Sequence, residues 1–214
     1  MPSPSTVFLI DDDASVRRAL ARLIKSAGYQ VETFASAREF LDSGCHSEAP
    51  ACLVLDVRMP GLSGIDLQRE LKTTNLVLPI IFITGHGDIP MTVNAMKAGA
   101  VDFLPKPVRD TTLLPAIEQA LARARRECVE RNELEDIQSR LDTLTSRERE
   151  VMALVARGWL NKQIAFELGT VEKTIKVHRA RVMGKMRVAS LAELVRVAEK
   201  SGIRGASGSS KQPK

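Results

Sequence analysis

Cysteine, histidine and long apolar runs are scarce in this chain of 214 residues, and each scarcity removes a class of function. Cys45, Cys52 and Cys128 are an odd number without a CxxC pair, which argues against a disulfide framework and against a thiolate metal centre. His46, His86 and His178 are scattered likewise and share no ligand spacing with the cysteines. The first apolar run, Val7 to Ile10, follows Met-Pro-Ser-Pro-Ser and is too short for a signal-peptide core or a membrane span, so the expectation is a cytoplasmic protein without membrane attachment.

What is present is an apolar fraction of 44%, ample for ordinary cores, in a length that fits two small domains. Charge divides the chain. Residues 145–214 hold 15 Lys and Arg against 6 Asp and Glu, whereas residues 1–144 hold 16 against 20. A basic C-terminal part beside an acidic N-terminal part suggests a polyanionic partner for the former.

Residues 6–105 alternate short apolar runs with amphipathic stretches. Strands are expected at Thr6 to Ile10, Gln30 to Phe34, Ala51 to Leu55, Leu78 to Ile83 and Val101 to Leu104. Helices are expected near Ala14 to Ala27, Ser36 to Asp42, Gly64 to Lys72 and Ile89 to Ala98. Repeated β-α order predicts a doubly wound, five-stranded parallel sheet, in which ligands sit beyond the carboxyl ends of the strands. Those ends carry Asp11-Asp12-Asp13, then Asp56 followed by Val-Arg-Met-Pro-Gly, then Thr84-Gly85, then Lys106-Pro107.

Any one of these residues reads as well as a helix cap or a surface charge, Asp12 or Asp13 being placed to cap the helix at Ala14. Together they converge on one crevice. Carboxylates a few ångströms apart repel by about 4 kcal/mol per pair at an effective dielectric near 20, and they stay ionised most readily around a hard cation. Mg²⁺ held by Asp11, Asp12 and Asp56 fits that chemistry. An ammonium at Lys106 and a hydroxyl at Thr84 suit the oxygens of a phosphoryl group in flight, with Asp56 as the nucleophile.

Residues 6 to about 120 resemble the receiver domain of bacterial two-component response regulators, through Phe8-Leu9-Ile10-Asp11-Asp12, Leu55-Asp56-Val57-Arg58-Met59-Pro60-Gly61, Ile83-Thr84-Gly85 and Lys106-Pro107. The resemblance implies a flavodoxin-like receiver whose Asp56 accepts a phosphoryl group from a phosphohistidine of a sensor histidine kinase. It further implies that Asp12 ligates Mg²⁺ directly, that Asp11 acts largely through water, and that the Arg58 backbone carbonyl completes the protein ligands. Thr84 and Phe103 correspond to the switch pair, with Phe103 in place of the more usual Tyr, so a packing switch without a phenolic hydrogen bond is expected. In Ile83-Thr84-Gly85-His86-Gly87-Asp88-Ile89-Pro90, Asp88 is the expected helix cap and Gly85 and Gly87 the expected mobile points. This stretch is similar to the FixJ-like subgroup, which implies a phosphorylation-dependent homodimer with Met91, Val93 and Ala95 at its face.

Between Asp110 and Leu144 there is no Gly, and apolar residues keep helical spacing with a phase break across Val129 to Glu133. One long helix or two abutting helices are expected there. The capping box Thr145-Ser146-Arg147-Glu148 opens a second domain, in which Asn161 is expected to cap the next helix, Val171 to Met186 to form a third, and Ser190-Leu191-Ala192-Glu193 to open a fourth. In the third helix Val171, Ile175, His178, Val182 and Met186 are expected on the packed face. Lys173, Val177 and Ala180 fall opposite, flanked by Lys176, as suits a helix in the major groove.

Thr145 to Val151, Asn161-Lys162-Gln163-Ile164-Ala165 and Glu172 to His178 resemble the LuxR-type helix-turn-helix domain. The resemblance implies base contacts from Lys176, Val177 and Ala180, and backbone contacts from Lys162, Thr174 and Arg181. The expected organisation is a receiver at 1–120, a helical linker at 121–144, an all-α DNA-binding domain at 145–201 and a disordered tail at 202–214. Expected partners are a sensor histidine kinase, double-stranded promoter DNA, a second copy on phosphorylation, and RNA polymerase as a further candidate. A phosphatase of the haloacid dehalogenase type shares the β-α order and Mg²⁺ chemistry, but it needs an Asp where Arg58 stands, so a regulator and not an enzyme is expected. A receiver acting without phosphorylation is the other reading, disfavoured by the intact set of Asp11, Asp12, Asp56, Thr84 and Lys106.

Overall fold

The computed structural model describes residues 5–44, 49–73, 78–85 and 89–203, the last stretch without the side chains of Ile89 and Pro90. Cys45, His46, His86, Gly87, the expected cap Asp88 and the tail beyond Ile203 lie outside the described residues. The chain divides into two compact units between Cys128 and Val129.

In the first unit, β1 (Thr6–Ile10), β2 (Gln30–Phe34), β3 (Ala51–Asp56), β4 (Ile80–Thr84) and β5 (Asp102–Pro105) form one parallel sheet in the order β2-β1-β3-β4-β5. Helices α1 (Ala14–Ser26), α2 (Ala37–Asp42), α3 (Gly64–Thr73) and α4 (Ile89–Lys97) connect the strands, and α5 (Asp110–Asp142) follows β5. The doubly wound flavodoxin-like fold is the one expected. Its central strands read as unbroken apolar runs because both faces are covered. Phe8, Ile10, Leu53, Leu55 and Phe82 point into a core with residues of α2, α3 and α4, including Phe40, Leu67 and Ala95. Val7, Leu9, Cys52, Val54, Ile81 and Ile83 point into a second core with Leu20 and Ile24 of α1 and Leu113, Ile117 and Leu121 of α5. Each such side chain, fully buried, contributes about 1.5–3 kcal/mol.

Register carries this packing to the strand ends. Ile10 pairs with Leu55, so Asp11 and Asp56 emerge side by side where the chain reverses its winding around β1 and β3. Asp56 pairs with Ile83, and Thr84 with Pro105, which brings Thr84 and Lys106 to the same edge.

The phase break in the long helical stretch marks a change of core and leaves the helix unbroken. Leu113, Ala116, Ile117, Ala120 and Leu121 belong to the sheet's second core, while Ile137 and Leu141, near the other end of α5, belong to the core of the second unit. That unit contains α6 (Ser146–Ala156), α7 (Asn161–Glu167), α8 (Glu172–Met186) and α9 (Leu191–Lys200). Val151, Met152, Ile164, Ile175, Val182, Met186 and Leu194 fill its centre.

Thr145 and Glu148 make both halves of the expected capping box at the start of α6. The start of α7 differs from expectation. Asn161 is already inside the helix, and the Gln163 side chain accepts from the amide of Leu160 at 2.8 Å, satisfying the chain just ahead of it. The Asn161 side chain instead accepts from Arg179 at 2.8 Å, tying α7 to α8. Gly169 takes φ +61° in the turn between those helices, a conformation that side-chain-bearing residues rarely adopt.

Candidate functional site

Asp11, Asp56 and Thr84 are buried at the carboxyl edge of the sheet, while Asp12 beside them is exposed. Asp11, Asp12 and Asp56 offer carboxylate oxygens that all lie within 4.8 Å of one another. Asp13 is drawn off as the α1 cap, accepting from the amides of Ser15 at 2.7 Å and Val16 at 3.2 Å. Lys106 reaches in from beyond β5, its Nζ donating to Asp11 Oδ2 at 2.7 Å and to Asp56 Oδ2 at 2.6 Å. The Lys106 amide donates to the carbonyl of Thr84 at 2.7 Å, which fixes the lysine backbone against the end of β4.

Electrostatics follow from burial and proximity. Burial pushes the Asp11 carboxyl above its usual range, with the neighbouring Asp56 charge adding to it and the bonds from Lys106 and Asp13 opposing it. Burial alone would lower the Lys106 ammonium, but its hydrogen bonds to Asp11 and Asp56 and their charges outweigh that and hold it above the ordinary lysine value. Lys106 is therefore a firmly protonated cation between two carboxylates. Three carboxylates against one ammonium leave the cluster anionic, and an all-oxygen donor set with room at one exposed carboxylate suits a small hard divalent cation.

The loop after β3 shapes the other side. The Arg58 amide donates to Asp56 Oδ1 at 3.1 Å, and Gly64 at the start of α3 donates to the carbonyl of Val57 at 3.0 Å. Phe103 is half-buried, its ring 6.0 Å from that of Phe82 and packed against the α2-α3-α4 core. On α4 the expected dimer residues separate. Val93 is 43% exposed, Met91 packs partly into the core, and Ala95 is 1% exposed. Ala95 is therefore corrected to a core residue. Residues four apart share a helix face, so Met91 and Ala95 turn inward together, and Met96, 42% exposed, joins Val93 on the outer face instead. Sequence reading missed Met96, whose three-residue spacing from Val93 was the available signal. It also missed Arg17 of α1, whose guanidinium donates to the backbone carbonyls of Asp11 and Asp12.

In the helical unit, α8 buries Ile175, Val182 and Met186 and exposes Lys173, Lys176, Val177, Ala180 and Arg181, with Thr174 half-buried. Lys162 of α7 is exposed as well. Val171 departs from the expected packed face: it stands one residue ahead of α8 and is 64% exposed. His178 is half-buried with its Nδ1 out of solvent, as a packed histidine and not a surface ligand. Exposed Val177 and Ala180 set among Lys173, Lys176 and Arg181 give α8 an outer face of apolar and cationic side chains, a combination that can meet base edges and phosphates.

Comparison with known proteins agrees with both halves. Residues 7–118 match the family described as response regulator receiver domain, and residues 142–198 match the bacterial regulatory proteins of the luxR family. Nodulation protein W of Bradyrhizobium diazoefficiens is 53% identical over 197 residues, covering 92% of this chain and 86% of that protein. Response regulator protein TodT of Pseudomonas putida is 48% identical over 196 residues, with coverage of 92% and 86%. Among solved structures, a low-resolution structure of the response regulator StyR superposes with a TM-score of 0.82 at 51% identity, over 92% of this chain and all of that one.

Proposed function

Because the chain belongs to the FixJ-like transcriptional response regulators, a receiver domain joined to a LuxR-type DNA-binding domain, we propose that Asp56 is its phosphoacceptor and that phosphorylation controls DNA binding. The observation that carries this reading is the convergence of Asp11, Asp12 and Asp56 with Lys106 on a strand edge that also holds Thr84. A phosphohistidine of a sensor histidine kinase is the donor: an Asp56 carboxylate oxygen forms the new bond to phosphorus as the bond to the imidazole nitrogen breaks. Lys106 turns from the Asp56 carboxylate to an oxygen of the incoming group, and the Thr84 hydroxyl moves to another.

Asp11, Asp12 and Asp56, with the Arg58 carbonyl, would hold Mg²⁺. The fit rests on the anionic, all-oxygen donor set. When bound, Mg²⁺ offsets negative charge on the carboxylates and the phosphoryl oxygens. Phe103 then follows Thr84 inward by repacking against Phe82, which alters the surface around α4 and β5. Val93, with Met96 beside it and Met91 at its margin, supplies the face on which a second copy pairs. Two DNA-binding domains brought together engage two half-sites, with Lys176, Val177 and Ala180 at base edges and Lys162, Lys173, Thr174 and Arg181 at phosphates. The organisation that goes with this reading is a receiver at 1–120, a helical linker at 121–144 and a DNA-binding domain at 145–201, working in the cytoplasm beside RNA polymerase. Among the described residues, no helix is long and apolar enough to cross a membrane.

The direct test is operator affinity at fixed salt for wild type and Asp56→Ala, with and without a phosphodonor. Tightening in the wild type alone is the expected result. Equal affinity of both proteins in every condition would detach DNA binding from the receiver.

A further inference from the structure

Arg17 lies in the second turn of α1, and its guanidinium reaches back toward the start of the helix. Its Nη1 donates to the carbonyl of Asp11 at 2.5 Å and to that of Asp12 at 3.3 Å. A guanidinium has only donors, so it cannot itself hold a cation. Its contact is with the backbone from which two of the three clustered carboxylates hang.

That backbone is a three-residue loop tied at its far end by other bonds. The Asp13 amide donates to Asp11 Oδ1 at 2.9 Å, and the Asp13 carboxylate accepts from the first amides of α1. These contacts set the Asp11 carboxylate and the helix start. Because the Asp13 amide belongs to the peptide after Asp12, the first of these contacts also restrains that plane, whereas the plane after Asp11 is left to another contact, and the direction of the exposed Asp12 side chain depends on both. Two carbonyl oxygens converging on one guanidinium nitrogen cannot swing apart independently. Arg17 is itself half-buried, which limits its own freedom.

We propose that Arg17 is a positioning residue for the divalent-cation site, holding the Asp11 and Asp12 peptide planes so that the Asp12 carboxylate faces Asp11 and Asp56. This rests on the reading of those three carboxylates as cation ligands. Its sign separates it from a simple charge effect. A positive charge near the cluster repels an incoming cation, so electrostatics alone makes removal of Arg17 tighten binding, whereas loss of positioning weakens it.

The experiment is calorimetric titration of the full-length protein with Mg²⁺ alone, at fixed pH and ionic strength and without phosphodonor. Wild type, Arg17→Met, Arg17→Lys and Asp12→Asn are compared, each with its melting curve in EDTA. Arg17→Met is expected to bind Mg²⁺ about tenfold more weakly, as when groups that orient metal ligands are removed elsewhere. Arg17→Lys keeps the charge and one point donor and is expected to fall between. Wild-type or tighter affinity in a folded Arg17 variant overturns the proposal, and if that variant also receives phosphoryl groups slowly from a kinase, Arg17 is a kinase contact. If Arg17→Met does not fold, Arg17→Lys decides alone, since positioning requires it to bind more weakly than wild type at equal charge. An Asp12→Asn protein with wild-type affinity would instead remove the ligand assignment beneath the proposal.

Discussion

Gly64 approaches Asp56 so closely that a Cβ placed on it would stand 2.4 Å from the Asp56 carbonyl oxygen and 3.1 Å from Leu55 Cγ. No side chain fits there without moving either α3 or the end of β3. The Gly64 amide meanwhile donates to the carbonyl of Val57, so the contact is part of what holds the end of β3 at Asp56.

Gly64→Ala is therefore expected to destabilise the receiver by about 1–3 kcal/mol, the usual cost of overpacking. Urea unfolding of the full-length protein measures it. Because the displaced atoms are the backbone of Asp56, phosphorylation from acetyl phosphate is expected to slow as well. Wild-type stability with a wild-type rate would show that α3 slides aside at no cost.

Lys106 offers a second test, since it bridges two buried carboxylates. Lys106→Met leaves Asp11 and Asp56 facing each other without their cation. With metal chelated at neutral pH, the receiver is expected to lose about 3 kcal/mol, in line with breaking a buried ion pair from one side. Adding Asp56→Asn removes one of the stranded charges, so the double variant is expected to recover part of the loss. A double variant no more stable than Lys106→Met would mean that packing of the lysine stem, and not charge, accounts for the change.

The sheet and the acidic cluster were legible because two-sided burial writes strands as continuous apolar runs and leaves their polar ends conspicuous. Asp56 stood out for that reason, and register did the rest once Ile10 and Leu55 were neighbours. Other features depended on information that spacing does not carry. Ala95 lay in a stretch identified by motif, but its inward turn follows from which side of α4 meets the sheet. Asn161 had the composition of a cap, yet Gln163 two residues on could reach the same stretch of chain and did. Val171 had the right phase for the packed face but precedes the helix that imposes that phase. Arg17 left no pattern at all, because a long side chain bonding to backbone carbonyls makes no demand on the identity of its partners.

Glu148 gives the second unit a pH dependence of defined sign. It is 2% exposed, and its Oε2 accepts from Lys185 Nζ at 2.7 Å and from the Thr145 amide at 2.9 Å. Lys185 first, and then the Thr145 backbone, hold its carboxyl at about 2, against an ordinary 4.5. A carboxylate depressed in the folded state stabilises it above the unfolded value and loses that contribution as pH falls from near 4.5 toward 2. Glu148→Gln is expected to flatten stability across that window and to cost about 1–3 kcal/mol at neutral pH. Trp159, the chain's single tryptophan, packs against this core and reports the unfolding. An unchanged acid limb in the variant would assign acid sensitivity to other carboxylates.

Substitutions at Lys176 and Lys162 test sequence reading against phosphate attraction. Lys176 stands 3.7 Å from Glu172 on the exposed face of α8, a solvent-screened pair that contributes little and is readily exchanged for DNA. If Lys176 touches a base edge, Lys176→Ala lowers affinity for the operator by about 1–3 kcal/mol and relaxes preference at one position, with a smaller loss on unrelated DNA. Lys162, on the neighbouring helix, is expected to behave differently. Lys162→Ala weakens binding to operator and unrelated DNA alike and lowers the slope of log affinity against log salt by about one. Titrations of both variants on both DNAs, across a series of salt concentrations, measure all four quantities. Equal losses for Lys176→Ala on the two DNAs, with a shallower salt slope, would make it a phosphate contact and leave Val177 and Ala180 as the readers of sequence.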